Sequence, residues 1–299
     1  MSESYAHLHP SALAAISEAP EARIRRIRTD RWIGYARAQT ALAALEDLLS
    51  FPKRMRMPNM VLVGPTNNGK TMIVERFRRD HLPLEADVNS DGVATVPVVK
   101  VQMPAGADER RFFGAIGEAL GLRRPIGERT VAAHQEEAIH TMRSTQVQLL
   151  IVDEVHNVLS GTRGQQRRML NVFRWIGNEL QIPLVAVGTV EALRAIQSDE
   201  QLANRFEPFP LAPWRYGDEY RRLLATLEAI IPLRNPSQLE EPKLARQILS
   251  LSEGILGEIL TIVTRAAIRA ITTGAEAITP QVLEETGFTS PRERRRIAL

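Results

Sequence analysis

Apolar positions along this chain follow two periods. Short, dense apolar runs at 60–63, 93–103, 147–152 and 183–189 are rich in Val, Leu and Ile, and predict strands buried on both faces. Between them, apolar residues recur every three to four positions at 36–50, 72–79, 108–120, 130–144, 165–179 and 190–197, the spacing of amphipathic helices. Asp108 is placed to cap one of these helices and Gly121 to end it. A stretch rich in Pro, Asp, Asn and Gly at 82–92 reads as a loop. Beyond Pro208, Pro210 and Pro213 the pattern changes to helical runs alone, at 216–231, 240–251, 257–273 and 280–286. Alternating strands and helices predict an α/β domain with a parallel sheet flanked by helices, followed by a small all-α domain. The divisions this suggests are a basic N-terminal arm at 1–30, the α/β domain at 31–213, the helical domain at 214–290 and a basic tail at 291–299.

The first strand runs directly into Gly64-Pro65-Thr66-Asn67-Asn68-Gly69-Lys70-Thr71, and helical spacing begins at Met72. Strand, glycine loop and helix in this order are the context in which a P-loop motif is meaningful. Gly64 and Gly69 let the backbone wrap a polyphosphate, whose charge the loop N–H groups and the helix N-terminus favour. Residues 64–72 are therefore candidate nucleotide ligands, with Lys70 on the β- and γ-phosphates and the Thr71 hydroxyl on Mg²⁺.

The run Leu149-Leu-Ile-Val152 ends in Asp153-Glu154, so two carboxylates stand at the carboxyl end of a buried strand, where ligands bind in open α/β sheets. Asp153 is placed to hold Mg²⁺ with Thr71, and Glu154 to orient and polarise an attacking water. Thr189, ending the next strand, is placed to touch the γ-phosphate or that water. His156 reads as a solvated histidine or one that supports a neighbour. The turn at 30–35 offers Trp32 and Ile33 to a nucleotide base, or Trp32 and Tyr35 to ordinary packing.

Composition sharpens this only in part. With 44% hydrophobic residues in 299, the chain can build a substantial core, and no apolar run is long enough to span a bilayer. The absence of cysteine excludes disulfides, thiol catalysis and cysteine zinc sites. The opening residues lack the regions of a signal peptide, so a cytoplasmic protein is expected. Net charge is +3, but arginines cluster at 23–31, 54–56, 76–79, 123–124, 167–168, 221–222 and 292–296. Most such clusters are solvated helix faces, and a minority suit a polyanion such as nucleic acid. In the segment 23–28, Ile24 and Ile27 make one face apolar, which fits either a docking arm or a first surface helix.

Taken together, the P-loop, Asp153-Glu154, Thr189, the Arg205-Phe206 step and the helical C-terminal region resemble an AAA+ ATPase over roughly residues 30–290. More narrowly, the stretches 31–35, 64–71, 153–157, 187–189 and 202–206 resemble the TniB/TnsC family of transposition ATPases, TniB most of all. That resemblance implies an ATPase using ATP and Mg²⁺ that assembles with copies of itself as rings or helical filaments on double-stranded DNA. It also implies recruitment of a DDE transposase and a TniQ-type target selector, in a bacterial, nucleoid-associated setting. Under it Arg205 is an arginine finger acting on a neighbouring subunit, and Lys100, Arg110 and Arg111 are candidate DNA contacts. The helical segment at 252–258 departs from the general AAA+ pattern, lacking the second-sensor arginine, for which Arg265 or Arg269 are substitutes. A helicase loader or replication initiator of the same class, and a nucleotide-switched scaffold without nucleic acid, are the alternative readings.

Overall fold

A computed structural model describes residues 5–29, 31–83, 94–122 and 130–297. Most of the expected loop at 82–92, Val93 of the expected second strand, and Arg123 and Arg124 lie outside the described residues. In chain order the elements are α1 (Pro10–Leu13), α2 (Pro20–Arg28), α3 (Ala36–Leu49), β1 (Asn59–Val63), α4 (Lys70–Asp80), β2 (Val98–Gln102) and α5 (Glu109–Ala119). They continue with α6 (Val131–Ser144), β3 (Leu149–Asp153), a 3₁₀ turn (Val155–Ser160), α7 (Arg163–Leu180), β4 (Leu184–Gly188), α8 (Val190–Gln197), α9 (Glu200–Ala203) and β5 (Phe206–Pro210). Five helices close the chain: α10 (Asp218–Ile230), α11 (Pro242–Ser252), α12 (Leu256–Thr273), α13 (Pro280–Glu284) and α14 (Pro291–Ile297).

Two compact units result, one formed by Arg37–Leu211 and one by Met1–Ala36 with Ala212–Leu299. In the first, a parallel sheet has the order β2-β3-β4-β1-β5. Every residue of β1, β3 and β4 is buried, as central parallel strands covered on both faces require. Its core joins these strands to Phe112, Phe113 and Ile116 of α5, Ile139 and Met142 of α6, and Met169, Phe173 and Ile176 of α7.

The helix starts follow local chemistry. Asp108 accepts from the Arg111 N–H, and Thr130 from the Ala133 N–H, each occupying an otherwise unpaired first-turn donor. Thr162 and Gln165 form a reciprocal capping box, so α7 begins two residues before the position its apolar spacing suggests. The second strand is shorter than expected: β2 begins at Val98, directly after Pro97, which has no N–H to give a ladder. A strand at 206–210 was masked in the sequence by Pro208 and Pro210. Among the described residues it is an edge strand paired only with β1, and an edge tolerates residues that cannot donate.

The helical unit has its own core, built from Tyr220, Leu224, Ile248, Ile259, Ile262 and Ala266 among others. Residues 5–29 pack here: Ile27 joins that core, and Leu8, Ala12 and Ile16 cluster beside it. Arg23, 1% exposed, donates to the Glu276 carboxylate at 2.8 and 2.5 Å and to the Pro232 carbonyl, so its charge is fully paired. Ile33 and Tyr35 pack on the same core, Tyr35 edge-on to Trp214 with centroids 5.3 Å apart. Gly254, at φ +71°, receives the Trp214 N–H on its carbonyl at 2.7 Å, and a Cβ there would stand 2.3 Å from the Trp214 oxygen. The basic C-terminal residues form α14, tied back by Arg294 to Glu258 and Arg295 to Glu253 at 2.5 and 2.8 Å.

Candidate nucleotide site

Three neighbouring strands end together. The Gly64 N–H donates to the Gly188 carbonyl at 3.2 Å, and β3 lies beside β4 in register through Val152 and Ala186. This brings the loop after β1, Thr189 after β4, and Asp153 at the end of β3 to one edge of the sheet. The loop itself is wound tightly. Asn67 and Gly69 adopt left-handed backbone conformations at φ 61° and 84°, and α4 starts at Lys70. Gly64 faces the chain as it leaves β5: a Cβ there would lie 2.6 Å from the Leu211 carbonyl oxygen. The buried Asn68 side chain donates to that same oxygen at 2.8 Å, which fixes the loop against the sheet. Thr66, Asn67, Thr71 and Met72 are exposed, while Asn68 and Lys70 are buried.

Lys70 folds back on its own loop, donating from Nζ to the carbonyls of Gly64 and Pro65 at 2.9 and 2.7 Å. Burial lowers its pKa, and the nearby Glu154 and Asp153 carboxylates partly offset that. The ammonium thus sits between carbonyls that a phosphate can replace. We expect Lys70→Ala to weaken ATP binding by about 2–3 kcal/mol, the worth of hydrogen bonds to a charged group, roughly 30–150-fold in Kd. Titration with a fluorescent ATP analogue checks this, and unchanged affinity would remove Lys70 from the site.

Asp153 has a side chain only 6% exposed. Its Oδ1 accepts the Glu154 N–H at 2.9 Å, and its Oδ2 lies 3.6 Å from Lys100 Nζ. Lys100 on β2 also lies 3.6 Å from Glu75 of α4. This lysine, read from sequence as a DNA-facing residue, is drawn into the site by two carboxylates. A buried carboxylate with one hydroxyl nearby in the loop suits Mg²⁺, which keeps several waters and takes few protein ligands beside the phosphates. Among the described residues no cluster of three or more His, Cys, Asp and Glu side chains forms a metal cage.

Glu75 is held to a pKa of about 2 by hydrogen bonds from Arg78 and Arg79 and by the Lys100 charge, against the opposing effect of burial. A carboxylate depressed on folding stabilises above its ordinary pKa and loses that contribution as pH falls through the folded value. The melting temperature of Glu75→Gln should therefore lie below wild type at pH 6. The gap should close between about pH 4.5 and pH 2; a constant gap would assign the effect to packing.

Glu154 takes the left-handed conformation, φ 56°, at the turn from β3 into the 3₁₀ segment. Its carboxylate lies 3.0 Å from His156 Nε2, so His156 supports Glu154, as one of its two sequence readings allows. Thr189 occupies the N-cap position of α8 without a side-chain cap hydrogen bond, and its hydroxyl lowers the pKa of the Glu191 carboxyl. Asn157, donating to the Met103 carbonyl at 2.9 Å, pins the segment that follows to the end of β2; sequence reasoning had given it no role.

The remaining predicted positions lie elsewhere. Arg205 precedes β5 at the opposite end of the sheet, where its carbonyl accepts the Asn59 N–H. Its side chain, on a half-buried residue, donates to Asn178 Oδ1 at 2.7 Å. Arg110 and Arg111 are exposed in the first turn of α5, with Arg111 3.7 Å from Asp108. Trp32 is half-buried and, with Ile33, belongs to the helical unit. Of the substitutes for a second sensor, Arg269 pairs with Glu285 at 3.0 Å and Arg265 lies over the Phe288 ring.

The family model for bacterial TniB protein matches residues 23–216, which contain the P-loop, Asp153-Glu154, Thr189 and Arg205. The chain belongs to the TniB family. A comparison with curated proteins finds no match. Among solved structures, the TniB-family chain is similar to the ORC1 protein of Aeropyrum pernix in complex with DNA, at 18% identity and TM-score 0.58, over 92% of this chain and 69% of that one. It is also similar to Cdc6p of Pyrobaculum aerophilum, at 16% identity and TM-score 0.63, over 88% and 70% of the two chains. At these identities the likeness is one of fold, and the fold is that of P-loop AAA+ ATPases with a C-terminal helical region. No helix among the described residues is long and apolar enough to cross a membrane.

Proposed function

We propose that this TniB-family protein is an ATP-dependent DNA-binding regulator of transposition, whose active form is an assembly of copies on double-stranded DNA. The observation that carries the reading is a split site. The P-loop, Asp153 and Glu154 converge at one end of the sheet, while Arg205 stands at the other end of β1. Five residues of strand separate them, roughly 16 Å at 3.3 Å per residue, farther than an arginine side chain reaches. A residue so placed serves a neighbour, and hydrolysis is then coupled to assembly.

In this reading residues 64–72 bind the ATP polyphosphate. Thr71 and Asp153 would hold Mg²⁺, which would neutralise phosphate charge. Glu154 accepts a proton from a water whose oxygen bonds to the γ-phosphorus as the bond to the β-phosphate oxygen breaks, giving ADP and phosphate. Thr189 bonds the γ-phosphate or that water. Arg110 and Arg111 track DNA phosphates, which predicts binding with little base preference and strong salt dependence. Lys100, engaged with Asp153 and Glu75, serves the site instead. The nucleotide-bound assembly recruits a DDE transposase and a TniQ-type target selector.

Electron microscopy of the full chain with double-stranded DNA tests this, comparing a slowly hydrolysed ATP analogue with ADP. Rings or filaments on DNA with the analogue alone are expected. Particles that ignore DNA in both states would overturn the DNA-regulator reading and favour a nucleotide-switched scaffold.

A further inference from the structure

The segment Lys53-Arg54-Met55-Arg56, between α3 and β1, forms a knob braced by its own atoms. The Arg54 N–H donates to the sulfur of buried Met57 at 3.3 Å, Arg54 Nε donates to the Arg56 carbonyl at 2.8 Å, and the Arg54 guanidinium lies 4.5 Å over the Phe51 ring. What the knob offers outward is different in kind. Met55 is 83% exposed, more than any other large hydrophobic among the described residues. The exposed Arg56 guanidinium has no hydrogen-bond or ion-pair partner among the described residues.

Beside the knob, at the amino ends of β1 and β5, opens a cleft of about 920 Å³. Arg54, Arg56 and Arg205 line it, with Asn204, Gln201 and a single acid, Glu207. Three arginines lining one concavity suit a multiply charged phosphate, since arginine forks match phosphate oxygens. The complementary group lies at the other end of the sheet: Asp153, Glu154 and exposed Glu191 follow β3 and β4 at the edge where the P-loop leaves β1. One chain cannot bring its two ends together. Copies stacked head to tail join the two faces repeatedly, the kind of contact that yields rings or helical filaments.

We infer that Arg56 acts beside Arg205 on the polyphosphate of the nucleotide held by a second copy of this chain, with Met55 packing against that copy. The inference rests on the reading of Arg205 as a residue acting between subunits. Met and Arg are enriched at the cores of such interfaces, and the bracing of Arg54 holds the knob ready before contact.

The test is the DNA-dependent ATPase rate of the full chain at saturating ATP. Arg56→Ala should lower kcat at least about tenfold, with unchanged melting temperature and unchanged ATP affinity of the unassembled protein, and Arg56→Lys should fall between. Mixing Arg56→Ala with Lys70→Ala should restore activity, because Lys70→Ala subunits carry no working site but supply an intact Arg56. Arg205→Ala mixed with Lys70→Ala is the parallel control. Recovery in the control alone would overturn the role of Arg56 and leave that of Arg205 standing. Recovery in neither would overturn both. A wild-type kcat for Arg56→Ala, accompanied by weaker DNA binding with a shallower salt dependence, would overturn the inference by assigning Arg56 to DNA phosphates.

Discussion

Glu154→Gln is expected to bind ATP as tightly as wild type and to hydrolyse it about 10³-fold more slowly, close to 4 kcal/mol of barrier. Glutamine keeps the size of the side chain and its reach to His156, but it cannot accept the proton of the attacking water. The backbone supports a dedicated role for this position. A non-glycine residue in the left-handed region costs about 1–3 kcal/mol and persists where the surroundings demand it. Here the demand comes from Asp153, whose Oδ1 takes the Glu154 N–H and turns the chain sharply as β3 ends. Single-turnover hydrolysis checks the rate, and filaments that persist with ATP, and not only with the analogue, check the trapped state. A variant turning over at the wild-type rate would remove Glu154 from the mechanism.

Arg205→Ala is expected to lower the assembled ATPase rate by about 10³-fold, the low end of what an arginine finger supplies. ATP affinity should stay as in wild type, because the residue stands at the far end of β1 from its own P-loop. Among the described residues one neutral acceptor, Asn178, and no carboxylate holds the half-buried guanidinium, so it can leave for a phosphate at small cost. If the variant instead lost thermal stability and kept its turnover, Arg205 would be a brace between α7 and β5. Measuring melting temperature and rate on one preparation separates the two outcomes.

Much of this site is written in local order. Strand, glycine loop and helix are contiguous, so the positions of Gly64, Lys70 and Thr71 follow from covalent connection and the turn chemistry of glycine. The same holds for Asp153, placed by the end of an unbroken apolar run. Legibility failed where a residue's meaning depends on its neighbours in space. Pro208 and Pro210 argue against a strand by every local rule, and only the edge position beside β1 makes one possible. Lys100 looks like a surface cation in a list of charges, until the β2–β3 register sets it one strand from Asp153. Asn157 ends a stretch that resembles the family, but its structural role is not legible locally, because its partner, the Met103 carbonyl, is 54 residues away.

Hydrophobic period, caps and the two motifs were enough by themselves to determine an α/β P-loop domain, the helical region after it, and which residues are candidates to face a polyphosphate. Those features depend on spacing within a few turns of chain, which the sequence states directly. Tertiary structure alone decided that residues 5–29 join the helical unit through Arg23 and Ile27, that the basic tail is a tethered helix, and that Arg205 shares a cleft with Arg54 and Arg56. Each of those outcomes is a meeting of segments far apart in sequence. Charge and exposure gain a role there only once the fold has brought a partner, or withheld one.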